Sequence, residues 1–296
     1  MEITIKNGIS FSYDRITSMS IMAKVQEHKS AWVHAFRKIF RIDTTLGAAG
    51  IAFFALFSVF PLFLLIIAIS SLWYDPLWVE GQLADQLEFV IPGFSNLLGQ
   101  NLEQILKARS SVTQVASLVL IWSASSMFTI MARALDKIWN EQEVRTGFRY
   151  RGMALLFVAI AGLITMPALF ILTTGLPIVA HYIPDLISRL YVWLTPIISI
   201  LVSSLLFGLM YRFVPHHRPR WREVWYGAVT CGVLWELAKI GFQFYISNYL
   251  SASNLVYGSF ATIIALLTWI YISGLIFFFG AHLITGYEKQ YENINR

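Results

Sequence analysis

The sequence predicts an all-α polytopic membrane protein with six transmembrane helices. Three observations predict it. Hydrophobic residues make up 57% of the 296-residue chain and charged residues 13%, about half the charged share of a soluble domain. Mean hydropathy is +0.62, and a water-soluble fold of this length lacks the interior volume to hide so much apolar surface. Six hydrophobic stretches, about 46–73, 113–134, 152–178, 190–212, 223–247 and 258–286, each reach the roughly 20 residues needed to cross about 30 Å of hydrocarbon. Finally, Lys and Arg are distributed asymmetrically. Seventeen fall in the N-terminal arm, the loops after the second and fourth stretches, and the tail; only Lys107, Arg109 and Arg189 fall on the other side. By the positive-inside rule both termini face the cytoplasm.

The same figures exclude other classes. Disorder requires low hydrophobicity and high net charge. A single cysteine, Cys231, excludes a disulfide scaffold and any multi-cysteine metal site. The net charge of +5 reads as cytoplasmic loops beside anionic lipid rather than as nucleic-acid binding.

Residues 1–30 form a polar arm in which Met19 and Met22 offer alternative starts. The arm lacks the apolar core and cleavage site of a signal peptide, so none is expected. Residues 31–41, AWVHAFRKIFR, predict an amphipathic helix. Trp32, Val33, Phe36, Ile39 and Phe40 share one face, and His34, Arg37, Lys38 and Arg41 the other. Such a helix lies in the headgroup layer or packs on the protein's own helices. Residues 31–288 then read as one six-helix domain, and 289–296 as a cytoplasmic tail. The longest external segment, about 74–112, predicts a periplasmic cap. Leu83, Leu87 and Val90, then Leu98, Leu102 and Ile105, mark two short amphipathic helices. Asp75, Glu80, Asp85, Glu88 and Glu103 make the cap acidic.

No enzyme motif is present: no GxxxxGKS/T loop, HExxH, GxSxG or EF-hand pattern. The expectation is therefore a non-enzyme with no cofactor and no metal. His216-His217 lies in a basic loop without a nearby acidic or thiol ligand. Ionisable residues inside the bilayer are expensive and so point to a role. Glu236 and Lys239 sit mid-span and three residues apart, on one helical face, where they neutralise each other. They read either as a structural pair or as a substrate or coupling site. Secondary polar candidates are Arg133 and Asp136 at the end of the second span, Asp43 with Thr44 and Thr45 as an N-cap of the first, and His282 in the last. Pro61 removes a backbone donor and kinks the first span, and Ser58 is placed to satisfy a freed group. The run Ser123-Ala124-Ser125-Ser126 suits close helix contact.

Five motifs in order carry a resemblance: AAGIAFFALFSVFPLFLL (48–65), IWSASSMFTIMARALDKIW (121–139), YRFVP (211–215), GAVTCGVLWELAKIGFQFYISNY (227–249) and YGSFATIIALLTWIYISGLIFFFGAHL (257–283). Together the chain resembles the YihY/BrkB family of bacterial inner-membrane proteins over about residues 30–288. The resemblance implies six spans with cytoplasmic termini and no settled activity. For some relatives it implies movement of a lipid A precursor. A ribonuclease label attached to some members finds no chemistry here, because clustered carboxylates or a His acid/base pair are lacking. Two positions depart from the family pattern. His282 stands where an acidic residue is frequent, and Asp136 where Asn is.

The expected function is transport or flipping of an amphipathic anionic substrate, a lipid, with membrane lipids as partners and no nucleic acid. Lys239 would attract the substrate's phosphate or carboxylate, and Glu236 would neutralise Lys239 or carry a coupling proton. The alternative is a non-enzymatic scaffold or envelope-integrity protein that binds partner membrane proteins. A cavity reaching Glu236 would favour transport, and a solid bundle around it the scaffold.

Overall fold

The computed structural model describes residues 30–70, 109–139, 156, 184–250 and 259–294. Among the described residues there is no strand. A short helix α1 spans 30–39. Five long helices follow: α2 (Ile42–Ser70), α3 (Arg109–Ile138), α4 (Pro184–Phe213), α5 (Trp221–Tyr245) and α6 (Ser259–Ile294). A π-helical turn, Ile246–Leu250, continues α5. The five coincide with five of the six predicted spans. The predicted span 152–178, the cap at 74–112 and nearly all of the arm lie outside the described residues, apart from the isolated helical residue 156.

Four of these helices are long and apolar enough to cross a membrane, over Ile42–Val59, Leu118–Ile138, Thr195–Phe213 and Ile263–Lys289. Helix α5 has 25 residues and is long enough, about 37 Å at 1.5 Å per residue. It does not join the four, because Glu236 and Lys239 interrupt its apolar stretch.

Two antiparallel helix pairs, α2–α3 and α4–α5, flank α6, which packs on α2 and α5. The burial pattern explains why α6 is the hub. Residues 277–287 are all buried, and a helix apolar all round belongs inside a bundle. Its Phe277, Phe278, Ala281 and Ile284 meet Ala48 and Ile51 of α2, Leu135 of α3, Tyr211 of α4 and Val224, Ala228 and Cys231 of α5 in one core. By contrast, Phe53, Leu118, Trp122, Leu201, Ile240 and Phe244 are exposed, an apolar exterior suited to hydrocarbon.

Helix α1 divides its faces in a way the sequence pattern did not anticipate. Ala31 and Ala35 form the buried face and pack on Phe279, Leu283 and Tyr287 of α6. Trp32, Val33, Phe36 and Phe40 are exposed, although Trp32 meets Phe279 edge-on at 5.6 Å. Small residues let the two backbones approach, so Gly286 of α6 sits directly under Ala31.

Candidate functional site

Helices α4 and α5 are joined by the short segment 214–220, so positions equally far from that turn lie side by side. Ser199 is 14 residues before Phe213, and Glu236 is 15 residues after Trp221. That register brings Ser199 against the polar face of α5. Lys239 Nζ lies 2.8 Å from Glu236 Oε1 and donates to Ser199 Oγ at 3.0 Å. Ser199 Oγ in turn donates to Glu236 Oε1. The Lys239 and Glu236 side chains are 10% and 15% exposed. The three groups thus close a ring in which each charge is met, as burial of ions requires. An aromatic cluster of Trp235, Phe242 and Trp269 packs beside it. Ser199 carried no signal in the sequence, being one hydroxyl in an apolar run on another helix.

A second polar assembly gathers where α2 begins, α3 ends, α5 begins and α6 ends. Asp43 lies in the first turn of α2 rather than at its N-cap, because the amides of Thr44 and Thr45 already donate to Arg41 O at 3.0 and 3.1 Å. Its carboxylate instead accepts from Lys137 Nζ at 2.8 Å. Asp136 is buried and accepts the His216 backbone N–H at 2.8 Å, pinning the α4–α5 loop to α3. Arg133 is exposed, and among the described residues no ion pair joins it to Asp136. His217 lies 3.4 Å from Glu288, which also accepts from Trp139 Nε1 at 2.8 Å. Among the described residues no three His, Cys, Asp or Glu side chains converge to hold a metal.

His282 is buried, with Nε2 3.1 Å from Thr44 Oγ1. Thr44 spends its single hydroxyl hydrogen on Lys38 O at 3.1 Å, so Nε2 of His282 carries the proton and donates. The relay ties α6 through α2 to the end of α1. Beside it a cavity of about 240 Å³ opens between α1, α2, α3 and α6, lined by His34, Lys38, Arg41, Asp43, Lys137, His282 and Lys289 among others. A neighbouring cavity of about 440 Å³ is lined by His34, Arg37, Lys38 and Arg41. Burial, then Lys38 and Lys289, lower the His34 pKa. Burial, then Arg41 and Lys289, lower that of Lys38. Glu236 and Lys239 line neither cavity.

Two of the sequence-singled positions shape helix contacts. Pro61 is buried within α2, which continues through it. The carbonyl it frees belongs to Phe57, four residues back. Ser58 does not serve that carbonyl; its Oγ lies 2.9 Å from both Phe54 O and Ser123 Oγ, so it stitches α2 to α3. A third polar link was missed altogether. Tyr211 Oη donates to Phe277 O at 2.6 Å and lies 3.2 Å from Cys231 Sγ. Both atoms crowd the space where a Cβ on Gly280 would stand.

These helices and motifs can be set beside known proteins. The family described as Virulence factor BrkB matches residues 35–295. The chain belongs to that family. This bears out the resemblance carried by the five motifs. A UPF0761 membrane protein of Idiomarina loihiensis is 28% identical over 70% of this chain and 74% of its own length. One of Alcanivorax borkumensis is 30% identical over 67% of this chain and 46% of its own. One of Pseudomonas aeruginosa is 31% identical over 66% of this chain and 48% of its own. The chain therefore spans about half the length of the last two. All three relatives are named as membrane proteins, and none of the names states a reaction. No solved structure matches.

Proposed function

We propose that this BrkB-family chain is a six-span protein of the bacterial inner membrane, termini cytoplasmic, that moves an anionic amphipath, a lipid, across the bilayer without enzymatic chemistry. The observation that carries the reading is the Glu236–Lys239–Ser199 ring. Charges held deep in a helix bundle are costly and mark pathways for ions or polar headgroups. Lys239 supplies a point charge for a phosphate or carboxylate. Ser199 Oγ, within hydrogen-bond distance of both charged groups, is the neutral partner that either ion keeps when the other turns to substrate. Glu236 then balances Lys239 in the empty state or carries a coupling proton.

The test is reconstitution in liposomes, with leaflet exchange of a fluorescent anionic phospholipid as the readout. Glu236→Gln combined with Lys239→Met is expected to insert normally and to lose exchange. Full exchange by a stable double variant would remove the pair from the mechanism. The second reading, a scaffold that binds partner membrane proteins, is favoured by one observation: the ring lines neither described cavity.

A further inference from the structure

We propose that the cavity between α1, α2, α3 and α6 is a binding site for a phosphate group, presented by the headgroup of an anionic lipid at the membrane surface. The site is separate from the Glu236–Lys239 ring and does not depend on transport.

Charge is the first argument. Four permanent cations, Lys38, Arg41, Lys137 and Lys289, line the cavity against one carboxylate, Asp43. Asp43 is already held by Lys137. Among the described residues no acidic side chain pairs with Lys38, Arg41 or Lys289. Like charges that outnumber their counter-charges repel, and an oxyanion relieves that repulsion. Burial is the first cause of the lowered pKa values of His34 and Lys38, and repulsion from neighbouring cations, Lys289 among them in both cases, adds to it.

Construction is the second argument. The cations come from three helices and the α1–α2 turn, yet the site has a fixed floor. The relay from His282 Nε2 through Thr44 Oγ1 to Lys38 O holds the α1–α2 turn against α6. His282 is thus a positioning residue for Lys38 and Arg41. The volume, about 240 Å³, is that of about eight water molecules at ~30 Å³ each, ample for a phosphate.

The exposed face of the segment that carries Lys38 and Arg41 points to the source of that phosphate. Phe36, Phe40 and Ile42 are 62%, 69% and 76% exposed and stand on the same short segment as Lys38 and Arg41. An aromatic, basic amphipathic helix settles at the depth of lipid headgroups. Its apolar side chains suit acyl chains, which a soluble phosphate lacks.

The experiment uses purified full-length protein in detergent, offered phosphatidylglycerol or zwitterionic phosphatidylcholine in equal amounts, with native mass spectrometry counting retained lipid. Wild type is expected to retain phosphatidylglycerol preferentially. Lys38→Gln combined with Arg41→Gln should weaken retention about 10- to 30-fold, the share of two cations near a headgroup. Arg218→Gln, an exposed site on the α4–α5 loop outside the cavity, should leave it unchanged. If the double variant does not fold, Lys289→Gln alters one exposed cation and should weaken retention about fivefold. Inorganic phosphate at constant ionic strength separates the sources. Persistence of bound lipid supports the headgroup. Displacement keeps the phosphate site and overturns the lipid as its source. Equal retention of both lipids by wild type, or equal loss in Arg218→Gln, would overturn the site. A Glu236 variant that loses leaflet exchange but retains phosphatidylglycerol would separate this site from the transport reading.

Discussion

The molecule holds its charges in two opposite ways. In the α4–α5 hairpin, Lys239, Glu236 and Ser199 form a closed ring in which each charge has its partner. At the basic end, Lys38, Arg41 and Lys289 surround a cavity whose one carboxylate, Asp43, is bonded to Lys137 and reaches Arg41 only through space. The first arrangement is stable as it stands and resists disturbance. The second is held together by packing and is improved by adding a negative group. The ring is thus neutral before any ligand reaches it, and a substrate must compete with Glu236 for Lys239, whereas the gathered cations gain from an anion with no internal bond to break.

The largest effect expected from this contrast is at the ring. Glu236→Gln or Lys239→Met alone leaves one charge buried without its counter-ion and should cost about 3–5 kcal/mol. The double variant should recover much of that loss. Thermal unfolding in detergent measures all three. Single variants as stable as wild type would mean that water reaches the ring freely, and the contrast between a closed and an open region would fail.

Next in size is the joint between the two regions. Gly280 of α6 lies under Tyr211 Oη and Cys231 Sγ, where Tyr211 and Cys231 also bond Phe277 O and Ile276 O. Gly280→Ala places a methyl in that space and should cost about 1–3 kcal/mol through overpacking. Adding Cys231→Ala removes one of the two colliding atoms and should return part of the loss. If the two substitutions simply added, the contact at Gly280 would not limit how closely α4 and α5 sit on α6.

How much of this was legible in the sequence differs between the regions for a physical reason. Helix periods and apolar length are local, so the five spans among the described residues were placed to within about eight residues at their ends, as 190–212 against Pro184–Phe213 and 223–247 against Trp221–Tyr245. The first span starts earlier than 46 because Asp43, Thr44 and Thr45 belong to the first turn of α2 rather than preceding it. The ring was half legible: Glu236 and Lys239 are three apart on one helix, but Ser199 arrives through the register of another. The cavity was not legible at all. Charge counting put Lys38, Arg41, Lys137 and Lys289 on one side of the membrane. Only the packing of α6 on α1 and α2 brings residues up to about 250 positions apart to one cavity.

At the basic end the sign of a substitution should reverse. Lys289→Gln removes a cation that repels its neighbours and is itself exposed. Stability should change by no more than about 0.5 kcal/mol, in the stabilising direction. A loss comparable to that at Lys239 would mean that Lys289 is answered after all and that the two regions follow one rule.

The smallest effect tests the same repulsion at a single group. His34 has its pKa lowered from the ordinary 6.5, by burial first, then by Lys38 and Lys289. The unfolded chain therefore takes up this proton at a higher pH than the folded one. Above about pH 6.5 the group is neutral in both states and costs nothing. As pH falls through that value, the unfolded state gains the proton first and stability declines until the folded pKa is passed. Histidine-selective NMR in micelles, with His34→Gln to assign the signal, should show a midpoint below 6.5. Lys38→Gln should raise the midpoint more than Lys289→Gln does, and neither should restore it fully, since burial remains. Phosphatidylglycerol should raise it in wild type by the same electrostatic route that the lysine substitutions open. A midpoint at or above the ordinary value in lipid-free wild type would show the basic end already neutralised, and the difference between the two regions would be gone.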